Sequence, residues 1–407
     1  MIRPPDLERA VIDEADAARE DLVALCAALV AAPSVNPDGD TRAVAAVVTQ
    51  ALTERGVESR IECEVPTMPS VVAELDSGLP GPHLVFNMHL DTMPPGDEGA
   101  WSVPVWEVTR RSGRLYGLGM GNMKGAVAAA VHAVGALQAR RDLWRGRITL
   151  TAVSDEVVFG EHGAAFLLRQ HPHLLGDALI CGEGPGFRRT AVGEKGVLWL
   201  ALTTVGASGH ASSVQPGASA SARLASAVSR IDALNGYGGA LPDDLSVLRP
   251  HGLHDTGLAL TANVGTLSAG TFVGQVAVAG RAEIDLRLPP GVGVDDAESL
   301  VRQTVSDLPG IEINRIKGWD ANWTAPVDPL LRHWATAWQA VNGTDPQWAI
   351  RLPASDASRW RRAGVPALCY GPQPSYSAGI DDYAEEDDVV RCAALYVATA
   401  LRYLDGP

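Results

Sequence analysis

The sequence predicts an α/β fold, with a larger domain built on a mostly parallel sheet and a smaller α+β domain inserted in the chain. Three observations carry this. At 407 residues the chain exceeds what one hydrophobic core ordinarily holds, so two domains are expected. Short apolar runs at 84–88, 148–153 and 178–181 alternate with helical patterns, which is the strand-helix-strand order of a parallel sheet. Composition then shifts after Glu194-Lys195-Gly196, and two strands with helix-bearing connections follow as far as 307. Residues 1–194 and 308–407 are thus assigned to the larger domain and 195–307 to the insert.

Taken in order, an Ala/Leu-rich amphipathic pattern over 15–32 stops at Pro33 and a second over 40–55 stops at Gly56, which predicts two surface helices. Runs at 57–64 and 71–75 read as strands. The run 84–88 follows Pro80-Gly81-Pro82 and delivers His89 and Asp91 to a strand end, where α/β proteins keep their chemistry. Two residues apart on extended chain, they point the same way, so one can bind while the other orients it. A glycine-dense loop at 116–125 runs into an Ala-rich helix at 126–139 and lets backbone pass close to a ligand. It lacks the spacing of a nucleotide loop. Strands at 148–153 and 178–181 bracket a helix near 163–170. The insert reads as a strand, a helix at 217–234, a Gly/Pro/Asp-rich loop at 235–257, strands at 259–267 and 275–288, and a helix at 293–307. The larger domain resumes with a strand at 311–316, a helix at 329–341, a strand at 366–370 and a terminal helix at 385–403.

The net charge of −15 argues against nucleic acid and anionic membranes as partners. Small molecules and peptides fit better. Cys26, Cys63, Cys181, Cys369 and Cys392 are scattered and odd in number, which indicates neither a disulfide framework nor a thiolate metal site. With no secretion-signal pattern at the N-terminus, the expected compartment is the cytoplasm.

Asp155-Glu156 directly follows one predicted strand and Gly182-Glu183-Gly184 another. Each carboxylate alone is what any solvated strand end displays. Together with His89 they form a metal site in kind, because imidazole and carboxylate oxygen suit zinc or a similar divalent ion and a spare carboxylate can act as base to bound water.

These motifs, with Gly121-Asn122-Met123-Lys124-Gly125, Gly209-His210-Ala211-Ser212, Asn263, Asp285-Leu286-Arg287 and Ser355-Asp356-Ala357, give the chain its resemblance to a known family. It resembles the di-zinc amidohydrolases that include aminoacylase, acetylornithine deacetylase, succinyl-diaminopimelate desuccinylase and glutamate carboxypeptidase. The resemblance runs over most of the chain. It implies a catalytic domain with a lid and dimerisation domain, a homodimer, and hydrolysis of the amide bond of an N-acyl amino acid or small peptide-like substrate with a carboxylate. It implies His89 as a metal ligand oriented by Asp91, Glu183 as a second ligand, Glu156 as a ligand of the second metal and Asp155 as the general base. His210 matches the histidine that reaches across a dimer to polarise the scissile carbonyl. Arg287 and Asn263 match groups that hold the substrate, and a guanidinium fork suits a carboxylate.

Three positions depart from the family pattern. Asn122 stands where a bridging Asp is expected, Ala378 where the last histidine ligand is expected, and Asp155 where a Glu is usual. The first two losses fall on the second metal. The expectation is therefore at most one tightly held zinc or other divalent ion per chain, on the His89 and Glu183 side, with Asn122 a weak ligand. Two readings stay open: a hydrolase with a reduced metal site, or a family member that has lost di-zinc hydrolysis and serves in metal-independent chemistry or binding.

Overall fold

The computed structural model describes residues 5–37, 39–186, 188–250, 255–374 and 379–405. It divides into a larger unit, residues 1–193, 323–349 and 355–407, and a smaller one, residues 194–322 and 350–354. Among the described residues no helix is long and apolar enough to cross a membrane.

In the larger unit the strands Arg147–Val153, His83–His89, Ala178–Cys181 and Ala367–Cys369 lie side by side and parallel at the centre of a nine-stranded sheet. Leu84, Val85, Phe86 and Met88 are all fully buried, so His83–His89 has apolar cover on both faces. That is why its sequence is largely apolar rather than alternating, the polar residue within it, Asn87, being buried and donating to Thr151 Oγ1 at 3.1 Å. Ser70–Asp76 and the short Arg60–Glu62 continue the sheet antiparallel at one edge. The Ala-rich helix Gly125–Gln138 is buried over most of its length and packs on the terminal helix Glu386–Tyr403. The single helical pattern at 15–32 resolves into two helices, Pro5–Ala17 and Arg19–Val30.

The smaller unit is a four-stranded antiparallel sheet in the order Thr261–Ala269, Ala279–Leu288, Gly196–Val205, Ile311–Trp319. Leu198, Leu200, Leu202, Ile284 and Leu286 share a core with Leu224 and Ile231 of the helix Ala220–Asp232 and with Val301 of Val294–Thr304. Here one expectation is corrected. The strand near 311–316 does not reopen the larger domain: it pairs with Gly196–Val205, Ile313 opposite Leu202, and adds Ile313 to that core. The compact insert therefore runs to Asn322 rather than 307.

Lys195 is buried in this unit, its Nζ donating to the carbonyl of Thr256 at 3.2 Å and to Thr261 Oγ1 at 3.1 Å. Burial, with the charge of Arg287 adding to it, pushes its pKa down to about 7. The unfolded chain keeps that proton to about 10.4, so between the two values the unfolded state binds more protons than the folded one. The stability linked to Lys195 is full above that window and is lost as pH falls through it. Comparing denaturant midpoints at pH 6 and pH 10, the wild type should gain at least about 2 kcal/mol relative to Lys195→Met. An equal pH response in both proteins would refute the buried, depressed lysine.

Candidate active site

The parallel register sets His89 opposite Val153 and Asn87 opposite Cys181, so the residues that follow all three strands emerge at one edge of the sheet. Glu156 and Glu183 are reached within three residues of those strand ends. Gly182 makes this possible, because a Cβ there would lie 2.2 Å from Met88 Sδ and 2.8 Å from Ala126 Cβ. His89, Glu156 and Glu183 form a buried group whose ligand atoms lie within 4.8 Å of one another.

His89 Nδ1 donates to the carbonyl of Asp91 at 2.8 Å, with the Asp91 carboxylate at 3.5 Å. Nε2 is thereby turned toward Glu183 Oε1 at 3.3 Å, Glu156 Oε2 at 3.8 Å and Asn122 Oδ1 at 3.1 Å. Burial alone would lower the imidazole pKa, but the hydrogen bond that His89 gives to the Asp91 carboxylate and the charges of Glu156 and Glu183 outweigh it and hold it well above its ordinary value. The pocket thus favours positive charge at Nε2. One imidazole nitrogen, two carboxylates and an amide oxygen facing one point are a donor set that suits one divalent cation.

Asp91 is placed as an orienting group. Its carboxylate accepts from Asn36 Nδ2 at 2.9 Å and from the backbone N–H groups of Glu156 and Val157 at 3.2 and 3.0 Å. Burial would raise its pKa, yet the contacts with His89, Asn36 and Val157 lower it. Asp155 is placed differently from the general base expected of it. Its Oδ1 accepts from Asn36 Nδ2 at 3.2 Å and its Oδ2 from the His162 N–H at 3.1 Å, on a backbone with φ of 67°. Both oxygens hold the turn, and the carboxylate beside His89 is that of Glu156.

Asn36 joins Asp91 to Asp155 through one amide nitrogen, and the sequence offered no chemical signal for it beyond a turn-like Asn-Pro. Asp356 belongs to the Ser355-Asp356-Ala357 motif. It is buried at the start of the helix Ala357–Arg362, with Oδ1 accepting from Arg359 and Oδ2 without a hydrogen-bond partner, and burial pushes its pKa up to about 6. Asp381 and Asp382, which precede the terminal helix in the chain, are outside the His89 group. Asp381 accepts from Ser102 N and Oγ, both at 2.8 Å, while Asp382 accepts from the Gly121 N–H, and the helix begins after Glu385. Ala378 lies outside the described residues.

The remaining sequence candidates belong to the smaller unit. His210 is exposed, and its Nδ1 accepts from the Ser212 N–H at 3.2 Å, which leaves the proton of the neutral ring on Nε2. Asn263 stands opposite Asp285 in the sheet. Arg287 is gripped by Asp285, Nε at 2.9 Å and Nη2 at 2.9 Å, so one edge of its guanidinium is occupied and oriented.

Comparison with known proteins adds the following. The sequence pattern of peptidase family M20/M25/M40 matches residues 85–402. The chain is 27% identical over 334 residues to a succinyl-diaminopimelate desuccinylase of Rhodospirillum centenum, covering 80% of this chain and 82% of the relative. It is 28% identical over 225 residues to an acetylornithine deacetylase of Pasteurella multocida, covering 55% of each. Among solved structures, the dipeptidase Dug1p of Saccharomyces cerevisiae superposes with a TM-score of 0.73 at 14% identity, over 98% of this chain and 99% of that one.

Proposed function

As the chain belongs to peptidase family M20/M25/M40, a family whose related members are amide hydrolases, we propose that it cleaves the amide bond of an N-acyl amino acid or small peptide-like substrate bearing a carboxylate, with one divalent metal ion. The observation that carries this reading is the buried group of His89, Glu156 and Glu183 at three adjoining strand ends. His89 and Glu183 are the ligands in this reading, and zinc suits them, while Asn122 contributes a weak neutral oxygen. A bound divalent ion supplies Lewis acidity to water and to the scissile carbonyl. Asp91 holds the imidazole with Nε2 toward Glu183 and Asn122. Glu156 takes the proton from the attacking water and returns it to the leaving amine, the role first expected of Asp155. His210 offers Nε2–H to the developing oxyanion, and Arg287 with Asn263 holds the substrate carboxylate and backbone.

We further propose a homodimer formed through the smaller unit. Its hairpin between Thr261–Ala269 and Ala279–Leu288 exposes Phe272 at 66% and Val273 at 92%, apolar surface that a second copy would cover.

Asn122 also supports the second reading, loss of di-zinc hydrolysis, because an amide at the bridge offsets no positive charge. A panel of N-acyl amino acids assayed with zinc, manganese or cobalt separates the two. Turnover with one ion per chain supports the hydrolase, and no turnover with any ion supports the other. Restoring the carboxylate by Asn122→Asp should tighten metal binding at least about tenfold, read by competition with a chelator. An unchanged affinity would mean that residue 122 does not face the ion.

A further inference from the structure

Among the described residues five other than glycine have positive φ: Ser112, Asp155, Phe159, Arg188 and Asp381. Phe159, at 54°, is the apolar one among them. The left-handed region is costly for a bulky side chain and nearly free for Gly or Asn. A phenylalanine held there normally has core packing to offset the strain. Phe159 has little, since it is 41% exposed and its neighbour Val158 is 47% exposed.

The turn that carries them is nonetheless fixed. Phe159 N–H donates to the carbonyl of Glu156 at 2.7 Å, Gly160 N–H to that of Asp155 at 2.9 Å, and His162 N–H to Asp155 Oδ2 at 3.1 Å. Arg359 Nη2 donates to the Gly160 carbonyl at 2.8 Å. A Cβ on Gly160 would lie 1.7 Å from Asp155 Oδ2, so the turn closes tightly on that carboxylate and only glycine fits there. The first residue inside this turn is Glu156, a member of the buried metal-type group. A strained, exposed and rigidly presented aromatic one hydrogen-bonded turn from the reacting centre is better explained by a ligand than by the fold.

We propose that Phe159, with Val158, is an apolar contact for the substrate and biases the enzyme toward acylated amino acids carrying an apolar group, on the acyl chain or on the amino-acid side chain, over those whose acyl chain ends in a carboxylate and over a bare acetyl on glycine. The proposal rests on the amide-hydrolase reading above. The apolar group could be the acyl chain or the amino-acid side chain, and both offer the same chemistry to the tip.

The test uses the full chain loaded with zinc, and the variants Phe159→Asn, which tolerates positive φ, and Phe159→Leu, which keeps an apolar tip. Hydrolysis of N-acetyl-, N-hexanoyl-, N-benzoyl- and N-succinylglycine varies the acyl group, and N-acetyl-leucine and N-acetyl-phenylalanine vary the side chain. In Phe159→Asn, kcat/KM for the apolar substrates should fall about tenfold relative to N-acetylglycine. Phe159→Leu should keep most of the preference, and whichever series loses its preference identifies the source of the apolar group. Because strain is relieved, the thermal midpoint of Phe159→Asn should hold or rise by about 1 °C. A lowered midpoint, or a loss equal across all substrates, would make Phe159 structural and overturn the proposal. So would an unchanged preference. Thermal shifts with hexanoate and benzoate are read in parallel, independently of turnover. A shift present in the wild type and missing in Phe159→Asn keeps the apolar contact even if no substrate is cleaved and the hydrolase reading fails, whereas equal shifts or none overturn it.

Discussion

Replacing His89 by Ala, or Glu183 by Gln, is expected to remove the tightly held ion and lower kcat/KM at least about a thousandfold. The two side chains supply the imidazole nitrogen and the nearer carboxylate of the group, 3.3 Å apart and almost fully buried. Catalytic zinc ordinarily has about three protein ligands, and here, with Glu156 acting as base, His89 and Glu183 reach that number only with the weak oxygen of Asn122, so there is no ligand to spare. The carboxylates that now favour a proton on the imidazole would favour a metal ion in its place. Elemental analysis of each purified variant alongside turnover reads both halves of the expectation. Wild type should carry one ion and the variants much less than one. Two fully occupied ions in the wild type would reveal a further ligand, and an unchanged metal content in both variants would move the site elsewhere.

The second large effect separates two adjacent acids. Glu156→Gln is expected to lower kcat by about a hundred- to ten-thousandfold, the usual loss on removing a general base, with the fold intact. Asp155→Asn should instead act on stability. Asp155 accepts hydrogen bonds at both oxygens, from Asn36 Nδ2 and from the His162 N–H, and an amide in its place would turn an NH2 group against one of those donors. Leaving a buried donor unpaired costs about 1–3 kcal/mol, visible as a lower denaturant midpoint, while the protein that remains folded should keep most of its turnover. The opposite outcome, an inactive but fully stable Asp155→Asn beside an active Glu156→Gln, would return the proton transfer to Asp155.

That pair marks where reading the chain stops. Two neighbouring carboxylates after a strand are equivalent by composition and spacing. Which one faces the imidazole depends on the positive φ at Asp155 and on Asn36, and that amide lies 119 positions from the turn in the chain. The strand at 311–319 shows the same limit at the level of the fold. Its apolar residues announce a strand but not its partner, and only pairing with Gly196–Val205 brings Ile313 into the smaller core. Asp382 shows it again: shortly before the terminal helix in the chain, its carboxylate accepts from the Gly121 N–H, 261 positions back.

By itself the sequence determined the α/β class, the presence of an insert, the strands that end at His89 and before Glu156 and Glu183, and the departures at Asn122 and Ala378. Those follow from local pattern: a doubly covered strand is largely apolar, and prolines and glycines favour turns between elements. Tertiary structure alone decided which acid joins the metal-type group, where the insert ends, that Asn36 ties Asp91 to Asp155, and that Phe159 stands strained and exposed beside Glu156. Each of these depends on which donor meets which acceptor, or which face meets which core, between residues far apart in the chain, and local periodicity carries no information about such pairings.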